Sequence, residues 1–239
     1  MMQSTGQLAV IATPIGNLGD LSPRAAEMLQ SADILACEDT RITRKLLALT
    51  GLRTSAKFIS YHDHNGKVMR PKLLAAMSAG NLVALVSDAG TPLVSDPGYK
   101  LVAACYDAGI NVVTIPGPSA VLAALSAAGL PSNRFLFAGF VPNSQKAAST
   151  AFREFTALPI TTIWFESPRR LGATLQLMYD EFGDRLAVIA RELTKMHENF
   201  HRDSLRLLTN FYAKSGAPKG EIVILISGAN EGSNKFDTV

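Results

Sequence analysis

Apolar positions in this chain come in short, nearly continuous runs separated by longer stretches in which they recur every three or four residues. Residues 8–13, 33–37, 58–61, Leu82–Val86 and Asn111–Ile115 form runs of the first kind and read as strands buried on both faces. Between them the pattern is helical. Ser22 caps a helix with Pro23 in its first turn, and Ile42, Leu46 and Leu49 form one helical face that Gly51 ends. A further helix is predicted around residues 71–79. Asp96-Pro97 reads as N-cap and first position of a helix stopping at Gly109, and residues 118–128 as a small alanine-rich helix. From about residue 132 strands are expected at Phe135–Phe140, 161–165, 186–190 and Ile222–Ile226, with helices near 145–156, 168–182 and 204–214. Strand–helix alternation gives an α/β class with parallel or mixed sheets of four or five strands each. Pro131-Ser-Asn is the best linker, so the expected domains are residues 1–131 and 132–239.

Composition narrows the class. The 239 residues are 47% hydrophobic and 18% charged, as in a compact folded protein. No apolar run approaches the ~20 residues needed to span a bilayer. Residues 1–7 lack the basic start and cleavage site of a secretory leader, so a cytoplasmic location without membrane attachment is expected. Cys37 and Cys105 each sit in an apolar stretch and read as buried free thiols, with no zinc spacing. The net charge of +3 is compatible with a nucleic-acid partner and does not single one out.

Chemistry concentrates in the loops. The strand at Leu82–Val86 runs into Ser-Asp-Ala-Gly-Thr-Pro-Leu-Val-Ser-Asp-Pro-Gly98, and the next into Pro116-Gly-Pro-Ser119. Loops of glycine, proline and short polar residues let a backbone approach a ligand closely. Two of them at neighbouring strand ends outline a small-molecule site, although each alone reads better as a turn or a helix cap. No Gly-x-Gly-x-x-Gly follows the first strand and no lysine follows the glycine loops, which argues against a dinucleotide fold or a P-loop. His62 and His64 flank Asp63 without a third ligand, so no metal site is expected.

These loops, with Thr13-Pro-Ile-Gly-Asn-Leu-Gly-Asp20, resemble the tetrapyrrole methylase superfamily, and within it the RsmI family of ribosomal RNA 2′-O-methyltransferases. The segments carrying the likeness are Cys37-Glu-Asp-Thr-Arg41, Ser60-Tyr-His-Asp-His-Asn65, residues 87–98, Phe165-Glu-Ser-Pro-Arg-Arg170 and Arg191-Glu-Leu-Thr-Lys195 with His197-Glu198. The resemblance implies two α/β domains with an S-adenosylmethionine cleft between them. It also implies a homodimer, and methylation of a cytidine 2′-hydroxyl in the decoding region of 16S rRNA in the small ribosomal subunit. Pro14, Ile15, Gly90, Thr91, Val94, Ser119, Ala120 and Phe165 are expected to bind the cofactor, with Thr91 where the superfamily usually has aspartate. A ribose hydroxyl needs a base or a charge that stabilises its alkoxide. The candidates are Asp39, Glu166, Glu192, Lys195, His197 and Glu198; for Asp39 an N-cap role and for the 192–198 cluster a plain solvated loop stay open. Phosphate contacts are expected from Arg41, Arg44, Lys45, Arg169, Arg170, Arg191 and Lys195. One departure from the family pattern follows Gly139-Phe-Val-Pro142, where only Lys146 and Arg153 are basic up to residue 153, so fewer RNA contacts are expected there. The competing readings are porphyrinoid C-methylation and a non-catalytic RNA-binding module.

Overall fold

A computed structural model describes residues 6–229; most of the segment read as lacking a leader lies outside the described residues. The chain forms two compact units, Met1–Ser119 and Ala120–Val239.

The first unit runs β1 (Gln7–Ile11), α1 (Pro23–Ser31), β2 (Ile34–Cys37), α2 (Thr40–Thr50), β3 (Lys57–Ser60), α3 (Gly66–Ser78), β4 (Leu82–Val86), α4 (Tyr99–Asp107) and β5 (Asn111–Ile115). Its sheet has the order β3-β2-β4-β1-β5 and is parallel throughout. Successive strand residues face opposite sides, which is why both sides need apolar cover. Ala9, Ile11, Leu35, Cys37 and Val86 pack with Ala25 and Leu29 of α1 and Leu47 of α2. Leu8, Val10, Ala36, Val83 and Leu85 pack with Leu73 and Met77 of α3 and Leu101 and Cys105 of α4. Both cysteines are buried free thiols, as expected, and burial pushes each up to about 11. The connection leaving β1 turns toward β2 and the one leaving β4 turns toward β5. The carboxyl ends of β1 and β4 therefore flank a topological switch point, where open α/β sheets bind ligands.

Two local expectations are corrected. The buried face of α2 is Thr43 and Leu47, whereas Ile42 and Leu49 are 41% and 59% exposed. The apolar stripe lies one residue off the packed one, and the Thr43 hydroxyl tolerates burial because it donates to the Asp39 carbonyl at 3.4 Å. Helix α4 begins at Tyr99 with Gly98 as its cap, so Asp96 and Pro97 stay in the loop. Positive φ at Leu93, Ser95 and Gly98 keeps that segment irregular.

The second unit runs α5 (Ala120–Ala128), β6 (Phe135–Phe140), α6 (Gln145–Arg153), β7 (Thr161–Glu166), α7 (Leu171–Phe182), β8 (Leu186–Arg191), β9 (Asn199–Ser204), α8 (Leu205–Ser215) and β10 (Ile222–Ile226). Its sheet order is β6-β7-β10-β8-β9; β6 and β7 are parallel and the other pairs antiparallel. Helix α5 packs on β8, β9 and β10, which assigns it to this unit although the linker reading places it before residue 131. Strand β9 has no counterpart in the sequence reading. Its residues Asn-Phe-His-Arg-Asp-Ser carry one apolar side chain, and pairing with β8 from Leu186–Ser204 to Arg191–Asn199 is what makes it a strand. The core gathers Phe152, Trp164, Leu171, Leu175, Met178, Leu205 and Leu208, with the Phe152 and Trp164 rings edge to face at 5.0 Å. No helix among the described residues is long and apolar enough to cross a membrane.

Phe152 is fully buried against Trp164 and Phe182. Phe152→Ala is expected to cost about 3–5 kcal/mol, read as a lower denaturant midpoint of the second unit's unfolding transition.

Candidate active site

Strands β4, β1 and β5 lie side by side and their carboxyl-terminal loops are joined through backbone atoms. Thr13 N–H donates to the Gly90 carbonyl at 2.9 Å and Gly90 N–H to the Thr13 carbonyl at 3.0 Å. Ala12 N–H donates to the Ile115 carbonyl at 3.2 Å. Gly90 has φ +77°, and a Cβ there would lie 3.3 Å from Ile15 Cγ2; one on Gly117 would lie 3.1 Å from the Ala12 Cβ. The positive φ at Gly90 favours glycine, and at Gly117 a Cβ would push the Ala12 Cβ by a few tenths of an ångström. The Thr91 hydroxyl, expected to line the ligand, donates to the Pro118 carbonyl at 3.0 Å and so ties two loops together, keeping only its acceptor lone pairs for a ligand. Pro14 and Ile15 are half-buried beside this junction and Val94 is exposed. Ser119 immediately precedes α5, whose first residue is Ala120. The buried Thr13 hydroxyl has no hydrogen-bond partner. Leu93 and Ser95 adopt φ +74° and +66°, a conformation costing of order 1–3 kcal/mol per residue that clusters at ligand sites.

Acidic groups crowd the adjoining ends of β2 and β4. Asp88 Oδ1 accepts Asp39 N–H at 3.0 Å, and Glu38 Oε2 accepts Asp88 N–H at 3.3 Å. Burial, with the Glu38 and Asp88 charges adding to it, pushes Asp96 up to about 6 against a bond from Ser87. Burial also raises Asp88. Asp39, one of the candidates for catalysis, has structural commitments. It caps α2 by accepting Arg41 N–H at 2.8 Å, and the Arg41 guanidinium holds its carboxyl at about 2, which makes it a poor base near neutrality. Sequence reasoning passed over Glu38, Asp88 and Asp96 as a group. Only the pairing of β2 with β4 brings residue 38 to residue 88, and the available signal was two aspartates within one glycine–proline loop.

In the second unit Glu166 is 5% exposed and fully engaged. It accepts Ser167 N–H, the Thr174 hydroxyl and Arg170 Nη2, the last at 2.9 Å. Arg170 also donates to the Val141 and Pro142 carbonyls and to Asn143 Oδ1. Both residues therefore staple the segment after β6. Phe165 packs its ring against Phe137 and Phe140 at 4.8 and 5.2 Å.

The loop between β8 and β9 carries the remaining candidates. Lys195 Nζ donates to Glu192 Oε1 at 2.9 Å and Glu221 Oε2 at 3.1 Å, and Glu221 N–H donates to Glu192 Oε1 at 3.0 Å. Burial works against the Lys195 charge, but the two carboxylates outweigh it and raise Lys195; Glu192 is lowered by its bond from Lys195. Glu192 and Thr194 have φ +52° and +64°, and a Cβ on Gly220 would lie 2.3 Å from the Glu192 side chain. Glu198 Oε2 accepts Thr194 N–H at 2.6 Å, closing the turn. His197 is exposed, and none of the side-chain hydrogen bonds or ion pairs described involves its ring. Glu221 and Gly220 went unnoticed in the sequence because only the β8–β10 pairing brings them here.

The expected phosphate-binding side chains divide. Arg41 is paired with Asp39, Arg44 stacks over the Phe58 ring at 3.8 Å and Arg191 donates to the Lys219 carbonyl at 3.2 Å. Lys45 and Arg169 are exposed. After Pro142, the exposed Arg153 is paired with Glu181 at 2.7 Å, and Lys146 is the cation of that stretch outside the ion pairs described.

The profile of the tetrapyrrole (corrin/porphyrin) methylases matches residues 7–209. The chain belongs to that family. It is 53% identical over 223 residues to ribosomal RNA small subunit methyltransferase I of Mesorhizobium japonicum, covering 93% of this chain and 75% of that one. Proteins of the same name from Synechocystis and Escherichia coli O157:H7 are each 46% identical, over 94% of this chain and 80% and 79% of theirs. Among solved structures it is similar to diphthine synthase, with 17% identity, TM-score 0.69 and coverage of 93% of this chain and 90% of that one. It is also similar to uroporphyrin-III-C-methyltransferase from Thermus thermophilus, with 19% identity, TM-score 0.61 and coverage of 93% and 94%. These two likenesses establish the fold alone.

Arg170→Ala leaves a buried carboxylate without its partner and is expected to destabilise the second unit by about 3–5 kcal/mol, measured by denaturant unfolding. Asp96 has a raised folded pKa, so its contribution is full below the unfolded value near 3.8 and is lost as pH rises through about 6. Asp96→Asn should therefore raise the melting temperature at pH 7 and not at pH 4, by an amount on the order of 1 kcal/mol after solvent screening.

Proposed function

We propose that this chain is an S-adenosylmethionine-dependent methyltransferase acting on small-subunit ribosomal RNA, at a cytidine 2′-hydroxyl of the 16S decoding region. The observation that carries the reading is 42–53% identity, over more than nine-tenths of the chain, to relatives named for that RNA. The loop junction supports the cofactor. The glycine-lined approach at Gly90, where a side chain would crowd Ile15, and the unpartnered Thr13 hydroxyl fit a ligand held largely through backbone groups. Pro14, Ile15, Gly90, Thr91, Val94 and Ser119 are assigned to it, together with Ala120 and Phe165. Bound S-adenosylmethionine supplies a methyl group activated on a sulfonium.

What the protein adds is orientation, water exclusion and charge. Lys195 stays protonated between Glu192 and Glu221 and is assigned to stabilising negative charge as the attacking hydroxyl loses its proton. His197, whose ring is otherwise uncommitted, is assigned as proton acceptor. Glu192 and Glu198 then serve to fix the loop in its strained turn. Arg41, Arg44, Lys45, Arg169 and Arg191 remain assigned to phosphate contacts. The family resemblance supports a homodimer, and a cytoplasmic location completes the reading, with the 16S rRNA substrate either free or in the small subunit.

Methyl-labelled cofactor incubated with wild-type protein and small subunits, or with free rRNA, should leave label in the RNA; none in either substrate overturns the reading. Lys195→Met should lower transfer by about 10²–10³-fold while calorimetry shows unchanged cofactor affinity, and Lys195→Arg should recover part of the loss.

A further inference from the structure

The segment Ser60-Tyr-His-Asp-His-Asn65, which carries no role in the reaction above, forms one wall of a pocket. Its lining is Tyr61, His62, Asp63, Gly66, Lys67 and Arg70 from the end of β3 and the start of α3, and Gly98, Tyr99 and Lys100 from the start of α4. Lys67 and Arg70 are three residues apart and share a face of α3. Helix α4 starts at Gly98 without a side-chain cap, so its positive end lies at this pocket, with the Leu101 N–H already donating to the Gly98 carbonyl at 2.8 Å. None of the ion pairs among the described residues involves Lys67, Arg70 or Lys100. Asp63 is the one acidic side chain in the lining.

Two buried atoms of the lining have no hydrogen-bond partner: Arg70 Nε, an obligate donor, and His62 Nδ1. An unpartnered guanidinium N–H costs free energy unless an acceptor arrives. Three cations, an uncapped helix start and an orphan donor converge on one acceptor chemistry, an anion with several oxygens. At the rim Tyr99 is 63% exposed, with Lys100 Nζ 5.6 Å from its ring centroid. An exposed tyrosine beside an anion pocket matches a single-stranded polynucleotide, in which each phosphate is flanked by a base that can stack.

We propose that this pocket binds a backbone phosphodiester of the RNA substrate, with Tyr99 stacking on the neighbouring base. The proposal rests on the methyltransferase reading for the identity of the RNA. It deepens that reading by placing a substrate contact at the end of β3 and the start of α4, on residues other than the arginines first assigned to phosphate. The phosphate oxygens accept from Arg70 and from the Lys67 and Lys100 ammonium groups; Asp63 weakens the site without closing it.

The test measures affinity of wild-type and Lys67→Ala/Lys100→Ala protein for a decoding-region RNA across a salt series, with calorimetry of S-adenosylmethionine alongside. Both lysines are exposed, so folding is spared. The double variant should bind RNA about tenfold more weakly at low salt, with the slope of log affinity against log salt reduced by about 1–2, and cofactor affinity unchanged. Tyr99→Ala should weaken RNA binding about tenfold and leave the salt slope as in wild type. Unchanged RNA affinity and slope in the double variant overturn the proposal. It is equally overturned if inorganic phosphate raises the wild-type melting temperature, and not the variant's, while RNA binding is identical, since the pocket then serves a free anion. RNA bound with these signatures but never methylated would sink the methyltransferase reading and leave the pocket standing.

Discussion

The pair of backbone hydrogen bonds between Thr13 and Gly90 holds the loop after β4 against the loop after β1, and the rest of the first unit's site is arranged around that join. Gly90 takes φ +77° there, a conformation that favours glycine, and a side chain in its place would crowd Ile15. With the two loops fixed, Thr91 can reach Pro118 and bring in the loop after β5. The residues beyond the join are forced into unusual geometry, seen in the left-handed Leu93 and Ser95. The same forcing keeps Asp96 out of α4 and half-buries it near Glu38 and Asp88, which is the origin of its elevated pKa.

The second unit solves a related problem with charge. Glu166 is buried because the half-buried Arg170 satisfies its charge, and Arg170 also holds three groups of the segment after β6. Lys195 is set between two carboxylates, which fixes its position and protonation while leaving its ammonium partly exposed. The four non-glycine residues with positive φ among those described are Leu93, Ser95, Glu192 and Thr194. All four fall in the two loops richest in candidate chemistry. Strain of that kind persists only where surrounding contacts over-determine it.

Cations in this protein sort into committed and uncommitted sets, and the sort matters more than the net charge of +3. Arg41, Arg153, Arg170 and Arg191 each hold a carboxylate or carbonyl of the chain itself. Lys67, Arg70 and Lys100 line a pocket without an anionic partner. An unpaired cation beside an uncapped helix start is free to receive phosphate, whereas a paired arginine must first give up a bond of comparable strength.

The α/β class, nine of the ten strands among the described residues, the caps at Ser22 and Gly51 and the stop at Gly109 were legible in the sequence because each depends on a local pattern or a local backbone preference. The glycine–proline loops were legible for the same reason. Strand β9, the buried face of α2, the acidic group at Glu38, Asp88 and Asp96, and the structural duty of Arg170 were not. Each of these is set by a partner between about 4 and 50 positions away, such as Leu186 for Ser204 or Val141 for Arg170. A residue's own chemistry states which bonds it is able to make. Which of them it makes is decided by what the folded chain brings within reach, because a buried donor or acceptor must be satisfied by whatever neighbour the packing supplies.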